Sequence, residues 1–193
     1  MMSATRVQLF PTLIYDVECS YLIDDVLDEL NKVKWRHDWA NINDTVFTLD
    51  NNKTLVKKIE NVVNETLSEI KYTVPLKMST SWFTRIPPGD VGRNHYHTNS
   101  FYSGIFYFQD HNSNLVVSKQ QPQIHVPFKT KDFGLVSSGD VGLKADKGHM
   151  ILIPGDIRHW VEQNTNNIDR HSLAMNFMPD GFCHAEDSSY NYK

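Results

Sequence analysis

The spacing of apolar residues changes period at Tyr72, and this change limits the chain to a sheet protein with helices packed on it. Before Tyr72 two helical stripes are legible. Leu22, Ile23, Val26, Leu27, Leu30 and Val33 form the first, behind Ser20 as its expected N-cap. Leu55, Val56, Ile59, Val62, Val63 and Ile70 form the second, which opens at Asn51-Asn52. Each stripe is one-sided, so both helices are expected to lie against a sheet. An extended segment from Val7 to Val17, containing Phe10-Pro11 and the run Leu13-Ile14-Tyr15, leads into them.

After Tyr72 the chain reads as short strands. Leu76 to Ile86 is rich in Thr, Ser, Trp and Phe and stops at Pro87-Pro88-Gly89, a strong turn signal. Phe101 to Gln109 is almost wholly aromatic or apolar, which suits a strand buried on both faces. Leu115–Ser118, Ile124–Phe128, His149–Ile153 and Ser172–Met178 complete the set, separated by Gly, Pro, Asn and Asp. Two helices on six to eight antiparallel strands imply a mainly β fold with flanking helices, a cupin-like jelly-roll barrel. A single domain over residues 1–193 is expected, with a helical N-terminal layer to about 72 and a barrel core over about 73–180. The polar connections 110–114 and 129–147 are candidate lids, and the tail after Asp180 is expected to fray.

Composition excludes several function classes. With 19 basic and 23 acidic residues the net charge is -4, which gives no electrostatic reason to bind nucleic acid or anionic membrane. No apolar run approaches the length needed to cross a bilayer, and no apolar signal segment follows the first residues. Cys19 and Cys183 form neither a disulfide framework nor a zinc CxxC pair, so reduced thiols and a cytoplasmic setting are expected. Asn-x-Thr triplets such as Asn64-Glu65-Thr66 then carry no glycosylation message.

Three of the nine histidines stand where a metal could use them. His95-Tyr96-His97 is an HxH at a strand edge, where residues i and i+2 share a face and both imidazoles can meet one ion. His159 follows Pro154-Gly155-Asp156 at the start of another strand. Imidazole suits Fe, Zn, Cu and Ni, so ligand type alone does not name the metal. Arg170 and Ser172 come one strand turn later on a shared face, where a guanidinium and a hydroxyl can take a carboxylate beside the metal. The bland alternatives are histidines clustered by chance, a solvated loop arginine and an ordinary strand serine.

The stretch His95-Tyr96-His97-Thr98-Asn99-Ser100-Phe101-Tyr102-Ser103-Gly104-Ile105-Phe106-Tyr107-Phe108 resembles a block shared by 2-oxoglutarate/Fe(II)-dependent oxygenases of marine bacteria and phages. Their distal block is matched by Pro154, His159, Arg170, Ser172 and Asn176-Phe177, and their opening by Leu9-Phe10-Pro11-Thr12. The resemblance implies a double-stranded β-helix that uses Fe(II), 2-oxoglutarate and O2 to hydroxylate a small-molecule or peptide substrate. It also admits a phage-encoded protein acting in a host cell. His95, His97 and His159 would hold the iron, and Arg170 and Ser172 the distal carboxylate of 2-oxoglutarate. The wider superfamily carries H-x-D/E…H, a two-His-one-carboxylate triad, where this chain has His97. That leaves the site one negative charge short, and Asp90 is the nearest loop carboxylate.

Tyr102, Tyr107, Asn176 and Arg85 are further pocket candidates, although core packing explains barrel aromatics equally well. Trp82 and Phe83 lie on the strand before the HxH, and Trp160 should point away from the metal. His111, His125, His149, His171 and His184 show no ligand spacing and read as incidental. Two other readings stay open. One is a cupin that does not use 2-oxoglutarate, such as a three-His iron dioxygenase, given Gly89 before the HxH and Gly148, Pro154 and His159 after it. The other is a non-catalytic jelly-roll module. An apolar N-terminal segment also allows a homodimer.

Overall fold

The computed structural model describes residues 11–35, 47–118, 139–185 and 188–192. Five strands form the larger antiparallel sheet: β1 (Tyr15–Glu18), β2 (Leu76–Ile86), β3 (Tyr102–Tyr107), β6 (His149–Pro154) and β8 (Arg170–Pro179), in the order β1-β6-β3-β8-β2. A smaller sheet faces it, made of β4 (Leu115–Ser118), β5 (Asp140–Leu143) and β7 (Arg158–Val161) in the order β5-β4-β7. The chain before the HxH extends that sheet along the free edge of β7. Gly92 N–H donates to Val161 O at 2.9 Å, and His95 and His159 exchange backbone bonds of 3.0 and 2.8 Å. The result is the jelly-roll, double-stranded β-helix architecture.

The two faces of the larger sheet do different work. Every residue of β3 is buried, and its one polar side chain, Ser103, is hydrogen-bonded. Tyr102 and Phe106 join Phe83, Leu152, Leu173, Met175 and Phe177 on the outer face, beneath the helices. There α1 (Ile23–Leu30) contributes Val26, and α2 (Lys53–Thr66) contributes Leu55, Ile59, Val62 and Val63. Ile105, Tyr107, Ile151 and Ile153 point the other way, into the lumen, against Leu115 and Val117 of β4. Alternation along each strand thus sorts one sequence into a helix-side core and a lumen.

Local chemistry sets the helix ends. Asn52 caps α2, its side chain accepting from Leu55 N–H at 3.0 Å. Ser20 does not cap: it opens a 3-10 turn (Ser20–Leu22) ahead of α1, and its own N–H donates to Glu18 Oε1 at 3.0 Å. The expected strand over Val7–Val17 is realised in its last residues as β1, which edges the sheet beside β6; residues before Pro11 lie outside the described set. The tail does not fray at Asp180, because β9 (Gly181–Ala185) and β10 (Ser188–Tyr192) pair as a hairpin. Ile124–Phe128 and residues 129–138 lie outside the described residues, whereas the rest of the expected 129–147 lid contains β5. The 110–114 connection is likewise tied down. Asn112 Nδ2 donates to Thr165 Oγ1, and Asn114 and Glu162 are joined by bonds of 3.1 Å from each backbone N–H. No helix among the described residues is long and apolar enough to cross a membrane.

Candidate active site

The three histidines singled out by spacing meet at one point. His159 sits on β7 opposite Val117, so its side chain enters the lumen, while Trp160, next along, faces away. His95 reaches the same point through its backbone pairing with His159. His97 arrives from the loop that follows, where its N–H donates to Gly155 O at 2.9 Å. Gly155 N–H in turn donates to Phe101 O at 3.1 Å, so the HxH loop is clamped onto the β6–β7 turn. One ligand atom from each histidine lies within 4.8 Å of the other two. Asp90 is not part of the cluster, and among the described residues no carboxylate joins it.

Each ring is aimed by a bond on its far side. His95 Nδ1 donates to Arg93 O at 2.7 Å, and His159 Nδ1 donates to Ile157 O at 2.9 Å. A carbonyl can only accept, so the proton sits on Nδ1 and the Nε2 lone pair is left facing the cluster. His97 is held from the larger sheet: its Nδ1 lies 2.5 Å from Asn176 Oδ1 and 2.8 Å from Ser103 Oγ. Ser103 Oγ also donates to Asn176 Oδ1 at 2.9 Å, which locks the amide. Asn176 and Ser103 are register partners on β8 and β3, so both side chains share the lumen face. Two of the inward lone pairs, His95 Nε2 and His97 Nε2, are only 3.0 Å apart. Two acceptors at that distance repel unless a proton or a cation lies between them.

Electrostatics favour the cation. Burial, followed by the neighbouring His95, holds the His97 pKa down to about 4 against an opposing pull from Asn176. Burial likewise drives His159 down to about 3, helped by His95 and His97 and opposed by the Ile157 carbonyl. Both rings are therefore neutral near pH 7, the state that binds a metal. His159 is 3% exposed and His95 is exposed, so the cluster opens on the His95 side. The Trp82 ring lies 5.4 Å from that of His97, and Arg158 lies over Tyr96 at 5.2 Å.

Arg170, Ser172 and Asn176 alternate along β8 and so share the lumen face with the cluster. Ser172 Oγ lies 2.6 Å from Thr84 Oγ1 across the sheet. Arg170 is 1% exposed, and none of its three guanidinium nitrogens has a hydrogen-bond partner. Its guanidinium carbon lies 5.0 Å from the centre of the Tyr107 ring, and the Tyr107 hydroxyl is also unpartnered. A buried cation with every donor unmet is costly by several kcal/mol, unless an anion completes it. The lumen thus brings together three imidazoles that could hold a metal ion and, from β8, a buried guanidinium. These residues fit Fe(II) and a dicarboxylic 2-oxo acid in chemical type.

The remaining candidates separate by face. Tyr102 points to the helix side, near Tyr72, and stays out of the lumen. Arg85 also faces outward, with Trp35 at 4.9 Å and Asp169 at 3.8 Å. Among the remaining histidines, His149 bonds Asp16 at 2.8 Å and His171 packs on Trp35 at 5.4 Å. His125 lies outside the described residues. His111, which spacing left incidental, instead lies beside Tyr107 with its rings' centres 4.9 Å apart. Ser103, missed by sequence reasoning, is the second support of His97; the S-G step in the shared block was the only signal for it.

Among curated proteins none matches this sequence. Solved structures do match. The carbocyclase SnoK, a non-heme alpha-ketoglutarate-dependent enzyme from nogalamycin biosynthesis, superposes with a TM-score of 0.65 at 9% identity, covering 88% of this chain and 81% of its own. HygX from Streptomyces hygroscopicus, solved with nickel and 2-oxoglutarate, gives 0.58 at 12% identity over 87% and 83%. A prolyl-4-hydroxylase from Pseudomonas putida gives 0.52 at 13% identity over 88% and 94%. At such identities these likenesses establish the fold. The family follows from the sequence itself: residues 80–176, half of the chain and the span from β2 to Asn176, match the model described as "Putative 2OG-Fe(II) oxygenase". The chain belongs to this family of 2-oxoglutarate- and Fe(II)-dependent oxygenases.

Proposed function

We propose that His95, His97 and His159 hold Fe(II) in this oxygenase and that Arg170 takes the distal carboxylate of 2-oxoglutarate. The observation that carries this reading is the buried Arg170 guanidinium with no partner for any of its three nitrogens. A cupin without 2-oxoglutarate, or a structural module, has no use for such a group. The Tyr107 hydroxyl, unpartnered at the guanidinium, is placed to add a hydrogen bond. Ser172 orients the same wall through Thr84. Asn176 and Ser103 act through His97, fixing its ring plane and proton.

Charge supports the pairing. Three neutral ligands leave a divalent ion uncompensated, and Arg170 adds a further positive charge. A dianionic co-substrate that spans both gains from each. Bound Fe(II) and 2-oxoglutarate would together supply the oxidative decarboxylation that activates O2. The protein's part is to orient the ligands, hold the carboxylate and keep the apolar lumen around Ile105, Ile151 and Ile153 dry. The second substrate, a small molecule or a peptide, is expected to approach on the exposed His95 side, past Trp82 and Tyr96.

The test is an anaerobic Fe(II) titration with and without 2-oxoglutarate, following the weak visible charge-transfer band of the chelate. The band should require both components. Arg170→Ala should lose it while still binding metal, and His159→Ala should lose metal as well. A band of unchanged strength in Arg170→Ala would remove this residue from the site.

A further inference from the structure

Several buried polar atoms without a geometric hydrogen-bond partner lie on or near the residues that pack on Tyr107. Besides the three nitrogens of Arg170 and the Tyr107 hydroxyl, they include both ring nitrogens of His111 and Ser113 Oγ. His111 and Arg170 both pack on Tyr107, their distances to its ring centre being 4.9 and 5.0 Å. An imidazole, a phenol and a guanidinium, buried together without geometric partners, form a donor set for a single anion.

The segment carrying His111 is fixed in place. Gln109 Nε2 donates to Asp169 O at 2.9 Å, Asn112 bonds Thr165, and Asn114 N–H donates to Glu162 Oε2 at 3.1 Å. Residues 109–114 therefore run beside 162–169, the connection that leads into Arg170. Such a segment is a wall and not a lid. The groups facing His111 are Arg170 from β8, Asp110 and the Ser113 backbone from its own segment, and Asp146 from the β5–β6 connection.

We propose that the 109–114 segment closes the far end of the co-substrate pocket, with His111 donating a second side-chain hydrogen bond to the carboxylate held by Arg170 and fixing the length of 2-oxo acid admitted. This rests on the reading of Arg170 given above. Burial and the Arg170 charge hold the His111 pKa down to about 4, so the empty pocket carries a neutral ring. A neutral ring still donates one N–H, and a carboxylate beside it draws the ring towards its charged form.

The experiment is isothermal titration of 2-oxoglutarate, and of the one-carbon-longer 2-oxoadipate, into chain loaded with redox-inert Ni(II). His111→Ala should weaken 2-oxoglutarate about tenfold and narrow its advantage over 2-oxoadipate, with Ni(II) affinity unchanged. His111→Gln, which keeps a donor and most of the volume, should recover most of the loss, and this guards against a folding defect in the alanine variant. Wild-type affinity in His111→Ala, or an equal loss in His111→Gln and His111→Ala, would overturn the assignment. If Arg170→Ala weakens binding and the His111 variants do not, only this inference fails. If the wild-type chain takes no 2-oxoglutarate, the functional reading fails with it.

Discussion

Replacing Arg170 by Met separates the stability of the empty protein from its use of co-substrate. Without ligand the guanidinium is a buried charge with three unmet nitrogens. Exchanging buried charges for apolar groups of similar shape typically gains about 1–4 kcal/mol. The swap forfeits the contact with the Tyr107 face, worth roughly 1–2 kcal/mol in a desolvated setting. A methionine keeps much of the aliphatic stem, so the metal-free variant should be about 1–2 kcal/mol more stable than wild type. For a chain of this size that is a rise in Tm of roughly 2–8 °C. Affinity for 2-oxoglutarate should move the other way, by about 100-fold, because a bidentate charge-assisted pair is lost. Urea or thermal unfolding in EDTA gives the first quantity, and titration of the Ni(II)-loaded chain gives the second. A metal-free variant destabilised by 1 kcal/mol or more would show that Arg170 is satisfied in the empty protein, and the argument for a waiting anion would fall.

Other perturbations test the metal site. Asn176→Ala leaves His97 Nδ1 with Ser103 alone, and metal affinity should drop by about 10–100-fold in a chelator competition; Ser103→Ala should cost less. Metal-free protein should lose stability as pH falls from about 6.5 towards 4. His97, His111 and His159 have depressed folded pKa values, so the unfolded chain binds more protons across that window. Acid titration followed by circular dichroism checks the sign, and a flat profile there would contradict it. On the proposed ligand set, removing metal should lower Tm, because the ion would tie His95 and His159 of the smaller sheet to a His97 supported from the larger one. At 100 times the dissociation constant the difference is about 2.7 kcal/mol.

The site was legible where it depends on spacing along one strand. Arg170, Ser172 and Asn176 fall on one side of β8 by strand alternation. The HxH spacing, in contrast, points to a pair of which only His95 is strand-paired, and His97 comes from the loop that follows. β2 and β4 appear at their expected residues because turn signals bracket them. What sequence could not give is which side of a doubly buried strand faces the lumen. β3 is buried on both faces and carries a tyrosine on each, so burial alone does not distinguish Tyr102, on the helix side, from Tyr107, in the lumen. The irregularity between Met78 and Thr80 similarly obscures parity along β2, where Arg85 turns outward. His111 was invisible because its relation to Tyr107 and Arg170 is made through space by a connection whose anchors lie about fifty residues away. Ser20 does not cap because the chain enters α1 through a 3-10 turn that already begins at Ser20 itself.

A Cβ built on Gly155 would lie 2.0 Å from Ser100 O, inside any allowed contact. Its backbone is not in the left-handed region, so the requirement is for space and not for conformational freedom. Position 155 therefore works as a gauge block that sets how closely the loop carrying His97 docks on the turn before His159. Efforts to retune this protein for a larger or smaller ion by redesigning the ligands alone would leave that spacing untouched. Gly155→Ala, remote from the ligand atoms, would in contrast force the backbones apart and widen the ring of imidazoles. The dimension a cation would meet at the proposed site is governed by a residue that has no side chain to offer it.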